Sequence, residues 1–318
     1  MKALVLQKGR ICLESAYPEP VPLAGEGVIK VRLAGICSTD LELLAGYMEF
    51  SGVPGHEFVG TVESSGRPEL LGKRVVGEIN CACGVCSECT AGRSTHCPKR
   101  TVLGILRRDG ALAEKLSLPE KNLHAVPDAI SDEEAVFVEP VAAALEILEQ
   151  VHVRPTQTVY VIGDGKLGLI ASQVLRLTGC RLTSIGKHPR KLNLLQTQGM
   201  RTARLDQAPS ERADIVVECT GNRSGFELAR SLVRPRGVLV LKSTFKEEGG
   251  IETTPLVIEE ITIVGSRCGP FPPAISLLEQ KLIDVKSLIT AAFPLSRGLQ
   301  AFEKASEPES LKVLLRME

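Results

Sequence analysis

The sequence predicts an α/β protein in two parts: a β-rich domain of irregular texture, then a doubly wound parallel sheet. Three observations predict it. Roughly the first 130 residues hold short β-like runs among many glycines and prolines, with few long amphipathic helices. From Ser131 onward strand and helix patterns alternate. A G-x-G-x-x-G stretch then falls between one such strand and the helix after it.

The early strands are Lys2-Ala-Leu-Val-Leu6, Gly27-Val-Ile-Lys-Val-Arg-Leu33 and Arg74-Val-Val-Gly-Glu-Ile79. Their alternation is imperfect, which predicts strands covered on both faces. Ser131-Asp-Glu-Glu134 reads as a capped helix start, with Ser131 as N-cap and Glu134 three residues on. The alternating units follow in order. Thr158–Ile162 is a strand and Leu167–Thr178 a helix; Arg181–Ile185 is a strand and Pro189–Gln198 a helix. Asp214–Glu218 is a strand and Ser224–Leu232 a helix, and Gly237–Leu241 and Ile261–Val264 are further strands. Repeated β–α units require right-handed crossovers, hence parallel strands with helices on both faces. After Gly269 the pattern is helix, strand, helix and a last short strand, Lys312–Leu315.

The chain has 318 residues, which at roughly 100–200 per domain agrees with two domains. Lys and Arg total 38 and Asp and Glu total 38, so no basic footprint for nucleic acid exists. Aromatics are 3% and tryptophan is absent, which argues against a base-stacking surface. The start, MKALVLQKGR, lacks the apolar core of a signal peptide. No window holds the ~18 apolar residues of a membrane span. A soluble cytoplasmic protein is expected, with no nucleic-acid or membrane partner.

Gly163-Asp-Gly165-Lys166-Leu167-Gly168 sits in the strand–turn–helix setting that makes this motif specific for a dinucleotide. Gly163 permits the turn, Gly165 lets backbone approach a pyrophosphate, and Gly168 lets helix and strand pack. The N–H groups of the helix start, at Lys166 and Leu167, face the phosphates. An NAD site usually ends its second strand on a carboxylate that holds the ribose 2′-hydroxyl. Here that strand runs into Gly186-Lys187-His188-Pro189-Arg190-Lys191. Gly186 leaves room, and the cations oppose the helix dipole unless an anion joins them. NADP is therefore favoured, with NAD possible.

Five of the ten cysteines fall in CACGVCSECTAGRSTHC, residues 81–97. In a reducing compartment such thiols stay free or bind metal. The run Cys83-x2-Cys86-x2-Cys89-x7-Cys97 has the tight spacing of a four-thiolate zinc site, which leaves Cys81 outside it. A redox C-x-x-C would normally sit beside a thioredoxin-like βαβ unit, and none is near.

With Gly35-Ile-Cys37-Ser-Thr-Asp40, Pro54-Gly55-His56-Glu57-Phe-Val-Gly60, the four-cysteine lobe, Phe137-Val-Glu139-Pro140, the glycine loop and Gly265-Ser-Arg-Cys-Gly269, the chain resembles the zinc-containing medium-chain dehydrogenase/reductase superfamily of alcohol, polyol and threonine dehydrogenases. The resemblance spans nearly the whole length. It implies a GroES-like β catalytic domain over residues 1–139 with a zinc lobe near 81–97. It also implies a Rossmann domain over 140–268 and a segment 269–318 that returns to the catalytic domain. It implies two zinc ions, one structural and one catalytic. Cys37 and His56 map onto the catalytic ligands, with Glu57 or Glu139 completing the set. Asp40 corresponds to the carboxylate behind the zinc histidine, and Thr39 to the hydroxyl that starts a proton relay. The next relay position, often a histidine, is Glu42. Lys312 falls where an arginine contacts the cofactor's pyrophosphate. The implied reaction is hydride transfer between a secondary alcohol, polyol or sugar-like carbinol and NAD(P), in a homodimer or homotetramer. The alternatives are a zinc-independent enone or quinone reductase of the same superfamily and a dinucleotide sensor without turnover.

Overall fold

The computed structural model describes residues 1–244 and 250–317. The chain divides into two compact units. One is Met1–Glu139 together with the segment that starts at Phe271; the other is Pro140–Pro270.

The first unit is built around the strand Glu26–Ile36. It pairs antiparallel with Glu57–Ser64, with Lys115–Pro119 and with the late strand Lys312–Arg316. The last of these also pairs in parallel with Ile289–Pro294. The end of the chain thus completes the sheet begun near its start. Ile29, Val31, Ala34 and Ile36 of the central strand are buried, and so are Val313, Leu314 and Leu315 of the returning one. Each fully buried aliphatic side chain of this kind contributes about 1.5–3 kcal/mol, which fixes the register Leu314 opposite Gly35.

The second unit is a six-stranded sheet, parallel throughout. Across it the strands run Arg201–Arg204, Arg181–Gly186, Thr158–Ile162, Ala213–Glu218, Val233–Leu241 and Thr262–Gly265. In chain order that is 3-2-1-4-5-6, the doubly wound arrangement with its crevice outside the carboxyl ends of the strands. Tyr160, Ile162, Ile185, Val216, Phe226 and Leu239 form one core cluster between strands and helices. Of these strands, Arg201–Arg204 was not expected from sequence. It lies at the sheet edge and its residues are half-exposed or exposed, so it carries no apolar alternation. No helix among the described residues is long and apolar enough to cross a membrane.

Candidate active site and metal centres

Three strand ends meet in the first unit. Glu26–Ile36 ends one residue before Cys37, Glu57 opens the next strand opposite Gly35, and Lys312 opens the strand in which Val313 faces Ile36. Register alone therefore brings Cys37, His56, Glu57 and Lys312 together. Ligand atoms of Cys37, His56 and Glu57 lie within 4.8 Å of one another. Glu139 is not a member of that group; it lies half-buried in the first turn of the helix Val138–Gln150.

Asp40 holds this corner in place. Its carboxylate is buried and accepts from the backbone N–H of Cys37 at 2.8 Å and of Gly55 at 3.0 Å. The same carboxylate lies 3.5 Å from Nδ1 of His56, a buried nitrogen with no hydrogen-bond partner of its own. Burial pushes the His56 pKa down, but the nearby Asp40 carboxylate and Cys37 outweigh it and the net direction is strongly up. A thiolate, an imidazole backed by a carboxylate, and a second carboxylate form a donor set that suits zinc. The cation would also relieve the crowding of Cys37 and Glu57, two groups that bind metal as anions.

Glu57 is engaged on its other side. Lys312 is fully buried, donates from Nζ to Oε2 of Glu57, and lies 5.4 Å above the Phe137 ring. The expected contact of Lys312 with a pyrophosphate is therefore replaced. An ammonium with no exposed surface needs a buried anion, and Glu57 is that anion. Gly35 makes the pair possible, since a Cβ there would sit 2.6 Å from Oε2 of Glu57 and 2.9 Å from Val136.

Thr39 stands beside the group, its Oγ1 3.8 Å from the Cys37 sulfur. Glu42 follows on the same helix, Ser38–Leu44. Its residue surface is exposed, while its carboxyl meets enough protein for desolvation to raise its pKa.

The cysteine lobe forms a second centre. Cys83, Cys86, Cys89 and Cys97 bring their sulfurs within 4.8 Å of one another, and Cys81 is outside the group. The separations Cys86–Cys89, Cys86–Cys97 and Cys83–Cys97 are 3.5, 3.8 and 3.5 Å. A tetrahedron of sulfurs about 2.3 Å from zinc has edges of ~3.8 Å, so the cluster fits the ion. Backbone N–H groups of Val85 and Cys86 lower the Cys83 thiol to about 6, whereas burial and the neighbouring Cys86 push Cys89 up to about 11. Four thiolates this close need a cation to coexist. Cys81 is buried, its Sγ turned to the Ile79 carbonyl, and burial raises its pKa.

In the second unit the glycine loop leaves the carboxyl end of Thr158–Ile162. Gly163 has φ +119°, a value side chains disfavour, and a Cβ there would lie 2.9 Å from the Cys219 carbonyl. A Cβ on Gly168 would land on the Gly163 carbonyl, whereas one on Gly165 would meet nothing within 4 Å. The loop thus packs tightly on its inner side and opens at Gly165. That glycine is the N-cap of the helix Lys166–Arg176, whose first turn has no side-chain cap. N–H groups of a helix start beside open space are a cradle for phosphate. Gly186 ends the second strand and is buried, with Lys187 and Arg190 exposed and His188 half-buried just after it.

One residue of this region was missed in the sequence. Asp164, inside the glycine loop, is buried and its Oδ2 accepts from the backbone N–H of Lys187 at 2.8 Å and of His188 at 2.5 Å. His188 Nδ1 lies 3.0 Å from Oδ1. The available signal was a carboxylate two residues past a strand end, next to a neighbouring strand end that lacks one.

Residues 24–128 match the alcohol dehydrogenase GroES-like domain and residues 167–280 the zinc-binding dehydrogenase domain. An L-threonine 3-dehydrogenase of Saccharopolyspora erythraea is 30% identical over 99% of this chain and 98% of its own length. The chain belongs to the zinc-containing medium-chain dehydrogenases. A sorbitol dehydrogenase of Halalkalibacterium halodurans is 28% identical over 99% of both chains. Among solved structures, an Escherichia coli alcohol dehydrogenase complexed with NADH superposes with a TM-score of 0.91 at 27% identity, covering 99% of both chains. A zinc-binding dehydrogenase of Sinorhizobium meliloti bound to NADP gives 0.88 at 27%, covering 99% of this chain and 98% of its own. As a member of this family of dehydrogenases, the protein is an NAD(P)-dependent oxidoreductase with a four-cysteine zinc site and a Cys/His/Glu zinc site.

Proposed function

We propose that this medium-chain dehydrogenase exchanges a hydride between the carbinol carbon of a polyol-like secondary alcohol and a nicotinamide dinucleotide, with Cys37, His56 and Glu57 as its catalytic zinc ligands. The observation that carries the proposal is the convergence of those three donors within 4.8 Å beside a hydroxyl-bearing residue, Thr39. The sorbitol and L-threonine dehydrogenases among its relatives support a hydroxylated substrate.

When bound, zinc supplies Lewis-acid polarisation of the substrate oxygen, and the nicotinamide ring exchanges the hydride. The chain's own residues do the rest. Asp40 fixes the His56 ring by facing Nδ1, which leaves Nε2 for the metal. Thr39 receives the alcohol proton at Oγ1 and passes it outward; Glu42, with its raised pKa, is the next acceptor on that helix. Lys312 donates to Glu57 and holds its carboxyl group in position. Cys83, Cys86, Cys89 and Cys97 hold the structural zinc, and the glycine loop holds the pyrophosphate. A homodimer or homotetramer is part of the same proposal.

The test is to follow reduction of both dinucleotides over a panel of polyols, secondary alcohols and β-hydroxy amino acids, and the reverse reaction with enones and quinones. Turnover with a polyol or secondary alcohol is expected. Activity confined to enones or quinones would replace this reading with the reductase one.

A further inference from the structure

We infer that Asp164 supplies, from within the glycine loop, the ribose-reading carboxylate that the second strand lacks, and that the protein therefore selects NAD over NADP. The inference rests on the dehydrogenase reading above and reverses the cofactor preference expected from sequence. Its basis is one piece of geometry. A Cβ built on Gly186 would lie 2.5 Å from Cβ of Asp164 and 2.6 Å from its Oδ2. The Asp164 side chain therefore fills the space into which an acidic residue at position 186 would project. Gly186 is small because that space is taken, not because a phosphate needs it.

The directional donors of the pocket are also engaged. A 2′-phosphate would draw on the backbone N–H groups at the start of the helix that follows the second strand. Those of Lys187 and His188 already bind Oδ2 of Asp164. Displacing a buried carboxylate from two N–H groups and a histidine would leave that charge unpaired. Leaving it in place sets it against a phosphate of nearly two negative charges. A ribose hydroxyl meets neither penalty. A carboxylate offers about four acceptor positions, and the two N–H groups and the imidazole use three, so one remains for the 2′-hydroxyl. Lys187 and Arg190 are exposed, and solvent screens their pull on a phosphate.

The experiment measures dissociation constants of NADH and NADPH by titration calorimetry on the full-length protein. The variants are Asp164→Asn, Gly186→Asp and the exchange that carries Asp164→Gly and Gly186→Asp together. The wild type is expected to bind NADH at least about tenfold more tightly than NADPH, the worth of one hydrogen bond to a charged group. Asp164→Asn should shrink that ratio about tenfold, both by weakening NADH and by strengthening NADPH. Gly186→Asp alone should weaken both ligands, because two side chains compete for one space, and the exchange should recover NADH binding. Equal or tighter binding of NADPH by the wild type would overturn the inference. So would an unchanged ratio in an Asp164→Asn protein with wild-type melting temperature. Should that variant lose its fold, the wild-type ratio and the exchange decide. A wild type that binds neither dinucleotide would instead sink the dehydrogenase reading itself.

Discussion

Glu57 faces two cations: the ammonium of Lys312, which it binds, and the metal its neighbours Cys37 and His56 are arranged to hold. Both Glu57 and Lys312 are almost wholly buried, so neither charge can fall back on water. Removing one partner of such a pair typically costs about 3–5 kcal/mol, because the other is left buried and unpaired. Lys312→Met should therefore lower unfolding stability by about that amount in urea titrations of protein stripped of the metal at Cys37, His56 and Glu57. A loss below about 1 kcal/mol would show the pair to be solvated. For the ligand itself, Glu57→Gln should reduce bound zinc and Glu139→Gln should not, as metal analysis of the purified variants would show. The reverse result would move the third ligand to Glu139. The convergence of Cys37, His56 and Glu57 was legible from their motifs. The role of Lys312 was not, because it depends on a strand more than 250 residues later in sequence pairing beside Ile36. Asp164 was hidden for the same kind of reason. In sequence it looks like the variable member of a glycine motif, and only the parallel pairing of Ile162 with Ile185 sets it against Gly186.

At the scale of elements, the cysteine lobe has little regular structure, and besides its four sulfurs the ion pair of Arg93 with Glu88 ties it together. Its regular structure is one helical turn, Ser87–Thr90, and a 3-10 turn at Ser94–His96. Ion binding there contributes directly to folding. Cys97→Ser should remove about one zinc per chain and lower the unfolding midpoint, whereas Cys81→Ser should keep the metal. Metal analysis with a melting curve checks both, and full zinc in the Cys97 variant would contradict the assignment. The helix start at Ser131 was readable because a capping box is a local device. Ser131 N–H donates to Glu134 at 2.8 Å and the Glu134 N–H to Ser131 Oγ at 3.4 Å. The long-range half was not readable: Lys281 also reaches Glu134, at 2.9 Å. Burial alone would raise the Glu134 pKa, but Lys281 and the Ser131 groups outweigh it and lower it. The folded value thus lies below the unfolded one. The stabilisation is present above the unfolded-state pKa and is lost as pH falls through the folded one. Denaturant midpoints against pH should therefore fall less steeply on the acid side for Glu134→Gln than for wild type. Parallel curves would show that the carboxylate does not contribute.

For the whole molecule, the β–α alternation was legible because each buried strand and each one-sided helix carries its own period. The edge strand Arg201–Arg204 was not, because an edge exposed to water needs no apolar pattern. The two donor sets were legible as motifs, and the fold adds what no motif contains: Gly35 makes room, Asp40 orients, and a returning strand supplies Lys312. The catalytic donors and the glycine loop lie in different compact units. Loss of the first should therefore leave the second able to bind its ligand. The central claim is that Cys37, His56 and Glu57 hold the zinc at which an alcohol is oxidised. Its most direct test is the zinc content, NADH affinity and alcohol turnover of His56→Ala beside the wild type. The account predicts two zinc ions per wild-type chain. In the variant it predicts one, with NADH affinity kept and turnover abolished. A variant that keeps both zinc ions, or that turns over alcohol at the wild-type rate, would contradict it.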